Sequence, residues 1–251
     1  MTLDKHQTQL VGAAASQRHD AGVIVPLFAN GAFTPFLKNL LCSMRRVAVQ
    51  SWMVIAMDNA TCPSLKRGGF IDALAEKYAC VEPYGAHPLV GASVATYGSV
   101  EFWRLVVQRP LWVRWLLVQG YSVLQCDVDV VWLRDPLPYF GSRGVSALGK
   151  RCGNPGNLIK QVYSNRTGRL KWQQRKSPLP CPHHNSTLLV QSEMGFGYNC
   201  GFYLVRPGNS SVSFIDAWLQ EMLQPTKEKS MHEQHAGHAP SRTLRTIYSA
   251  S

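Results

Sequence analysis

The chain has 251 residues, of which 45% are hydrophobic, and a formal net charge of +11 at pH 7. This length allows one large domain, and the apolar content excludes a chain that is disordered throughout. The positive charge favours an anionic partner, a class that includes nucleic acid, a membrane surface, a nucleotide phosphate and an acidic glycan. None of the seven cysteines forms a CxxC pair, which argues against a zinc ribbon.

The first elements follow a polar segment. Residues 1–20 are polar and weakly patterned, and the sequence predicts a disordered tail there. The apolar run AGVIVPLFAN (21–30) has a β-branched centre and predicts a buried strand. Helical spacing of apolar side chains predicts a helix within 33–49, and SWMVIAMD (51–58) predicts the next strand, which ends on Asp58.

The middle of the chain continues this alternation. Residues 64–78 have a helical pattern that Gly68-Gly69 interrupts, and YACVEP (78–83) predicts a short third strand. One long apolar helix, or two around Pro110, is expected over 99–121, followed by the strand SVLQCDVDVVWL (122–133). The alternation of strands and helices predicts an α/β fold with a mostly parallel sheet flanked by helices.

The last part of the chain changes in composition. Residues 141–192 are basic, polar and short of periodic stretches, which predicts an irregular insertion. A strand is expected within 195–207 and an amphipathic helix over 210–223, whereas 224–251 predicts a polar C-terminal tail. We therefore expect one domain over 21–223 that carries the insertion.

The sequence contains opposing indications of the cellular compartment. Four N-x-[ST] sequons favour a secretory lumen, and they begin at Asn59, Asn165, Asn185 and Asn209. Against this, the N-terminus shows neither a signal peptide nor an apolar span of about 20 residues, so no membrane anchor is expected in this chain. Cys126 and Cys200 lie in apolar stretches and are interpreted as buried small hydrophobes rather than disulfide partners.

Two carboxylates, Asp127 and Asp129, stand one residue apart at the end of an apolar run. On a strand they would share one face and repel each other, unless a cation lies between them. Ligands of open parallel sheets bind beyond the carboxyl ends of strands, where Asp58 and Asp127 are both expected. Carboxylates there suit Mg²⁺ or Mn²⁺ and, through the ion, a phosphate. The alternative is that the pair forms a turn or cap on a solvated rim.

The segment GYSVLQCDVDVVWLRDPLPYF (120–140) resembles the central motif of the nucleotide-diphospho-sugar transferase family, which includes plant cell-wall xylosyl- and arabinosyltransferases. Segments VIVPLFANGAF, WMVIAMD, EFWRLVVQRPLWVRWLLVQGY and YNCGFYLVRP resemble the family in the same order, so that the resemblance spans about 22–234. It implies the GT-A glycosyltransferase fold, a Rossmann-like sheet that carries a D-x-D motif.

The resemblance also implies roles for individual residues. Asp127 and Asp129 would bind Mn²⁺, or Mg²⁺, together with the diphosphate of a sugar nucleotide. Asp58 would contact the nucleoside side, with a helix or turn cap as the alternative. Asn199 and Gly201 match the N-x-G of the family, which lines the donor sugar or the acceptor.

Two arginines and the C-terminal region complete the predicted site. Arg104 and Arg109 fall where the family tends to have basic residues, and they could face the phosphates; a solvated helix face is the alternative. The acidic residue followed by Gln that the family shows is matched only by Glu233-Gln234, without the Phe-Asn pair that follows it. Glu233 is therefore the one catalytic candidate, and the resemblance implies a truncated or divergent member.

The function expected from this resemblance is a metal-dependent glycosyltransferase. It would move a sugar from a nucleotide-diphospho-sugar, most simply a UDP-sugar, to a hydroxyl of a glycan or glycoprotein in the Golgi lumen. One alternative is a basic nucleic-acid binder, because the insertion interleaves Lys and Arg with Tyr163 and Trp172. No RNP, KH or zinc-finger pattern supports it. A second alternative is a catalytically inactive transferase-like fold.

Overall fold

The computed structural model describes residues 3–71, 78–84, 89, 91, 93–96, 99–137, 157–163, 170–176, 188–193 and 197–223. The helices in these ranges are α1 (Lys5–Arg18), α2 (Thr34–Arg46), α3 (Thr61–Arg67), α4 (Val100–Val118) and α5 (Asn209–Leu223). The strands are β1 (Val23–Ala29), β2 (Trp52–Ala56), β3 (Cys80–Val81), β4 (Ser122–Cys126), β5 (Asn157–Tyr163), β6 (Leu170–Lys176), β7 (Leu188–Glu193) and β8 (Gly197–Val205). One 3-10 turn, Gly31–Phe33, precedes α2.

Six strands form one sheet in the order β3-β2-β1-β4-β8-β7. Strands β3, β2, β1 and β4 are parallel, whereas β8 is antiparallel to both of its neighbours, β4 and β7. In this sheet β8 is thus the strand that runs against the other five. The predicted α/β class, a mostly parallel sheet flanked by helices, is confirmed.

The longest helix begins and ends at residues that the sequence marks. The hydroxyl of Ser99 accepts a hydrogen bond from the backbone N–H of Phe102 at 3.1 Å and so caps the first turn of α4. After Val118 the chain passes through Gly120, which has φ +90°, a left-handed conformation that costs glycine least. The helix is continuous across the buried Pro110.

Alternate residues of the central strands pack against different helices. Ile24, Phe28 and Val123 lie on the side of the sheet that packs on α4, here called the α4 face. Leu124 and Cys126 lie on the opposite side, in the cluster formed with α2. Full burial of one large aliphatic side chain stabilises the fold by about 1.5–3 kcal/mol, so both layers contribute strongly.

The central pair β1–β4 has a short ladder. Val25 donates its N–H to the carbonyl of Ser51, on the β2 side, so the alternate residue Pro26 faces β4. Proline has no N–H group, and the β1–β4 register ends at Ile24 and Val123. The two central strands therefore stop pairing before their carboxyl ends, where the candidate site lies.

The prediction of a disordered tail over 1–20 is wrong, because α1 forms there. Asp4 and Gln7 form a capping box. The Asp4 carboxylate accepts from the backbone N–H of Gln7 at 2.8 Å, and the Gln7 side-chain oxygen accepts from the backbone N–H of Asp4 at 3.1 Å. Val11, Ala14 and Ala15 are fully buried in the cluster on the α4 face. The helix was missed because alanines give it no clear apolar stripe, although they allow close packing.

The prediction of an irregular insertion over 141–192 is wrong for its described parts. Strands β5 and β6 form an antiparallel pair, and β7 is an edge strand paired with β8. Backbone ladders need no apolar repeat, so a polar and basic sequence can conceal them.

Two of the other predicted elements are confirmed. The predicted strand over 78–83 is confirmed as β3, and the amphipathic helix over 210–223 is confirmed as α5. Of the helix expected over 64–78, the structure has α3, which begins at Thr61 and ends at Arg67, before the glycine pair Gly68-Gly69; residues 72–77 lie outside the described residues. The polar tail over 224–251 lies outside the described residues. Of the helices that the structure describes, none combines the length and the apolarity needed to cross a membrane.

Candidate functional site

A cavity of about 380 Å³ opens at the carboxyl ends of β1 and β4, between the α4 face and the first half of α4. Its wall is largely apolar and includes Phe28, Met57, Phe102, Leu105 and Val106. The polar and charged residues in the lining are Asn30, Arg109, Gln125, Asp127 and Asp129. A mostly apolar cavity of this size with a few convergent polar groups is typical of a small-molecule site.

Asp127 and Asp129 both line this cavity, but they stand in a turn rather than on a strand. Strand β4 ends at Cys126, the side chain of Asp127 is 40% exposed, and Asp129 is exposed. Val128 between them is buried. The repulsion that two carboxylates would suffer on one strand face is therefore reduced by solvent at both groups.

Arg109 connects the D-x-D turn to two other elements. Its guanidinium donates to the Oδ1 of Asp127 in an ion pair and reaches the carbonyl oxygen of Cys200 at 3.5 Å. The backbone N–H of Asp127 also donates to the carbonyl of Gly201, at 2.7 Å. The first acidic residue is thus held from α4 and from β8, with a positive charge beside it inside the cavity.

Arg104, one and a half turns earlier on α4, has a different position. It is exposed, and the cavity lining in the described part of the chain does not include it. Arg104 thus lies on a solvated helix face, the alternative expected from its sequence, and a contact between Arg104 and a phosphate stays a prediction.

Asp58 follows β2 and is buried, with 3% of its surface exposed. Its Oδ1 accepts from the backbone N–H groups of Ala60 and Thr61 at 3.1 and 2.9 Å, and from the Thr61 hydroxyl at 2.7 Å. Its Oδ2 accepts from the backbone N–H of Gly31. Through these contacts Asp58 caps the start of α3 and connects it to the turn after β1. A helix or turn cap was the alternative role given to Asp58 from the sequence. A contact of Asp58 with the nucleoside stays a prediction.

The remaining predicted site residues lie beside the cavity or outside the described residues. Asn199 and Gly201 are both on β8, the strand adjacent to β4, where Gly201 makes the backbone contact with Asp127. Glu233 falls outside the described residues, so its catalytic role stays a prediction.

Two polar residues that line the cavity, Asn30 and Gln125, were not predicted from the sequence as site residues. Asn30 directly follows β1, and the carboxyl-end rule that singled out Asp58 would have found it. Gln125 lies within β4 and is the one amide side chain in an otherwise apolar run. A polar residue inside a buried strand is itself a signal, since burial of an unbonded amide is costly.

The donor set suits one kind of metal. Asp127 and Asp129 supply carboxylate oxygens, the ligands that Mg²⁺ and Mn²⁺ prefer. Across the described ranges no three His, Cys, Asp or Glu side chains come together as a metal cluster. Such ions usually take one or two carboxylates and complete their shell with water and phosphate oxygens. The residues present therefore fit a divalent cation that is bound together with a phosphate ligand.

The cysteines near the site are thiols. Cys126 and Cys200 are both buried and are not part of the disulfide, which confirms the sequence prediction for both. Burial raises the pKa of Cys126 to about 12, although Trp132 donates its indole N–H to the sulfur at 3.4 Å and opposes the shift. The thiol beside the D-x-D turn thus stays neutral and adds no third negative charge. Elsewhere, Cys62 and Cys80 form a disulfide between α3 and β3.

Three relatives of this chain among known proteins are all named as xylosyl- or arabinosyltransferases. The "UDP-D-xylose:L-fucose alpha-1,3-D-xylosyltransferase" of Arabidopsis thaliana is 26% identical over 209 residues, which cover 80% of this chain and 46% of the relative. "Arabinosyltransferase XEG113" from the same plant is 28% identical over 211 residues, covering 84% and 27% of the two chains. "Beta-arabinofuranosyltransferase RAY1", also from Arabidopsis thaliana, is 31% identical over 128 residues, or 50% and 22%.

The chain spans less than half the length of these three curated relatives. None of the solved structures is significantly similar to it. The family described as "Nucleotide-diphospho-sugar transferase" matches residues 47–243, which include β2, α4, the D-x-D turn and β8. This match covers more than half of the chain, and the chain therefore belongs to the nucleotide-diphospho-sugar transferase family.

Proposed function

We propose that this chain forms the donor-binding part of a metal-dependent glycosyltransferase. It would transfer a sugar, most simply a pentose, from a UDP-sugar to a hydroxyl of a glycan or glycoprotein. The observation that carries the proposal is the D-x-D turn at the cavity, where Asp127 and Asp129 lie beside Arg109. The names of the relatives, which are xylosyl- and arabinosyltransferases, support the pentose and the nucleotide donor.

The side chains have separable roles in this proposal. Asp127 and Asp129 would hold a divalent cation, which when bound neutralises charge on the leaving diphosphate. Arg109 would add a second, fixed positive charge beside that diphosphate. Its ion pair with Asp127 already holds the guanidinium in this position. The apolar wall would exclude water from the donor, which favours transfer to the acceptor hydroxyl over hydrolysis.

Calorimetry of UDP binding, with and without Mn²⁺, tests this proposal. Wild-type protein should bind UDP in the micromolar range only with the metal, and Asp127→Ala should lose at least about tenfold in affinity, since it removes one charged ligand. Asp135→Ala is the matched control, because Asp135 is exposed, lies outside the cavity lining and bonds only the local N–H of Leu137 among its described contacts. Metal-independent binding, or equal affinity in Asp127→Ala, would contradict the proposal.

The two alternatives from the sequence remain distinguishable. UDP binding without turnover of any UDP-pentose would identify the catalytically inactive fold. The nucleic-acid hypothesis depends on basic side chains within 141–192, most of which lie outside the described residues. Salt-dependent binding of random oligonucleotides, with no binding of UDP, would support it.

We also propose that the reaction takes place in an oxidising lumen such as the Golgi. The Cys62–Cys80 disulfide supports this, because disulfides persist mainly in oxidising compartments. Mass mapping of the two cysteines under non-reducing conditions, on protein from a eukaryotic secretory host, tests it. Two free thiols in that material would contradict it.

A further inference from the structure

We propose that Gln125 is a specificity residue of the donor site, whose amide oxygen accepts a hydrogen bond from the bound nucleotide-sugar. This inference rests on the proposed function, and it names a contact with the ligand beyond the metal and phosphate groups.

The orientation of the Gln125 amide is fixed by its own donor. Its Nε2 donates to the backbone carbonyl of Cys126 at 3.3 Å, so the other end of the amide is the acceptor oxygen. Gln125 is 0% exposed, and within the described residues its Oε1 accepts no hydrogen bond. A buried amide oxygen without a donor is costly, and this cost is removed when a ligand brings one.

Asn30 repeats this arrangement across the same cavity. Its Nδ2 donates to the carbonyl oxygens of Gly91 and Ser93 at 3.4 and 3.0 Å, which fixes Oδ1 as the acceptor. Asn30 is 2% exposed, and no described residue donates to its Oδ1. Two residues that line one cavity thus each have a buried amide oxygen without a donor, which is what a site for a ligand with N–H or O–H groups requires.

The position of Gln125 relates this acceptor to the metal site. Val123 lies on the α4 face, so Gln125, two residues later on the same strand, also lies on that face. Asp127 follows after two more residues and meets Arg109 of α4. Gln125 is thus roughly 7 Å along the strand from Asp127 and is the more buried of the two, within reach of groups attached to a bound diphosphate.

The chemistry of the ligand follows from an acceptor in an apolar cavity. Gln125 would select for N–H or O–H groups, and a UDP-sugar offers them in the base, the ribose and the transferred sugar. A site that hydrogen-bonds a ligand group rejects an analogue that lacks it, since the buried oxygen is then left unpaired.

The variant Gln125→Leu tests the proposal against Gln108→Leu as a matched control. Gln108 is also a buried glutamine, but its Oε1 already accepts from the Tyr84 hydroxyl at 2.8 Å, and it does not line the cavity. We would measure Tm without ligand, and the affinities for UDP and UDP-xylose with Mn²⁺, for both variants and wild type.

Gln125→Leu should bind at least about fivefold more weakly, while its Tm stays equal or rises by about 2–4 °C, because an unpaired buried oxygen is removed. Gln108→Leu should lower Tm and leave both affinities unchanged. Equal weakening of UDP and UDP-xylose would assign the contact to the nucleoside, and weakening of UDP-xylose alone would assign it to the sugar; both support the proposal.

Unchanged affinities in Gln125→Leu would overturn this inference while leaving the proposed function intact. A lower Tm together with weaker binding would also overturn it, because the amide would then act in holding the sheet. Wild-type protein that binds neither UDP nor UDP-xylose would refute the proposed function, and this inference with it.

Discussion

Arg109 is the positively charged residue that contacts the D-x-D turn of the site. It lies on α4, forms an ion pair with Asp127, and reaches the carbonyl of Cys200 on β8. Lysine could not reproduce this, because only a guanidinium offers several donors in a fixed planar fork. In the structure the arginine compensates the charge of the carboxylate, and under the proposed function the same donors would turn to the phosphate oxygens of a bound diphosphate.

Arg109→Gln should therefore weaken Mn²⁺-dependent UDP binding by about tenfold or more, the loss of one charge-assisted hydrogen bond. Calorimetry at constant ionic strength measures this. Arg114→Gln is the control on the same helix, since Arg114 pairs with Asp216 of α5 away from the cavity. Arg114→Gln should lower stability by at most about 1 kcal/mol and leave UDP affinity unchanged. Equal UDP affinity in Arg109→Gln and wild type would refute the role of Arg109.

At the scale of elements, the short edge strand β3 depends on a covalent link. β3 has two residues, and it pairs only with β2 in the sheet. The disulfide Cys62–Cys80 joins it to α3, over a sequence separation of 18 residues. The buried carboxylate of Asp58 caps the start of the same helix. Together these contacts fix the α3–β3 side of the sheet next to the turn after β1.

Replacement of both Cys62 and Cys80 by alanine should lower the free energy of unfolding by about 3 kcal/mol, the value for a loop of this size. UDP affinity should not change, since neither cysteine lines the cavity. Urea unfolding measures the first quantity, with Cys42→Ala, an exposed free cysteine, as the control. A double variant as stable as oxidised wild type would show that the two sulfurs are not bonded in the protein.

On the scale of the whole molecule, a partly buried chain of hydrogen bonds connects Tyr84, which follows β3, to helix α4. Trp112 of α4 donates its indole N–H to the Tyr84 hydroxyl at 3.0 Å, and this hydroxyl donates to Gln108. Burial raises the pKa of Tyr84 to about 12, although the hydrogen bond from Trp112 opposes the shift. Since the folded protein holds this proton more tightly than the unfolded chain, the resulting stability is complete below about pH 10 and is lost as pH rises towards 12.

Unfolding by urea at pH 8 and at pH 11.5 should therefore show an alkaline loss of stability of at most about 2–3 kcal/mol from Tyr84. Tyr84→Phe should lose this part of the pH dependence and be about 1 kcal/mol less stable at pH 8, where Trp112 and Gln108 each lose their hydrogen bond with the hydroxyl. Tyr121→Phe, outside this network, is the control for the loss of a tyrosine hydroxyl elsewhere in the protein. Identical profiles for Tyr84→Phe and wild type would contradict the assignment.

The class of fold, the order of its central elements and the D-x-D pair could all be predicted from the residues alone. These depend on local signals: apolar periodicity, caps such as Ser99 and a motif of adjacent residues. Prediction failed where such signals are weak, in the alanine-rich α1 and in the polar strands β5–β7. Those elements are held by packing and by backbone ladders rather than by an apolar repeat.

The residues that surround the D-x-D turn could not be predicted, because packing of distant elements brings them there. Arg109 precedes Asp127 by 18 residues and Cys200 follows Arg109 by 91, so their contacts depend on how α4 and β8 pack on β4. The tertiary structure also placed Asp58 as a cap and revealed Asn30 and Gln125 in one cavity. Sequence patterns report which residues face inward along one element, whereas a site is made by side chains of several elements that meet only after packing.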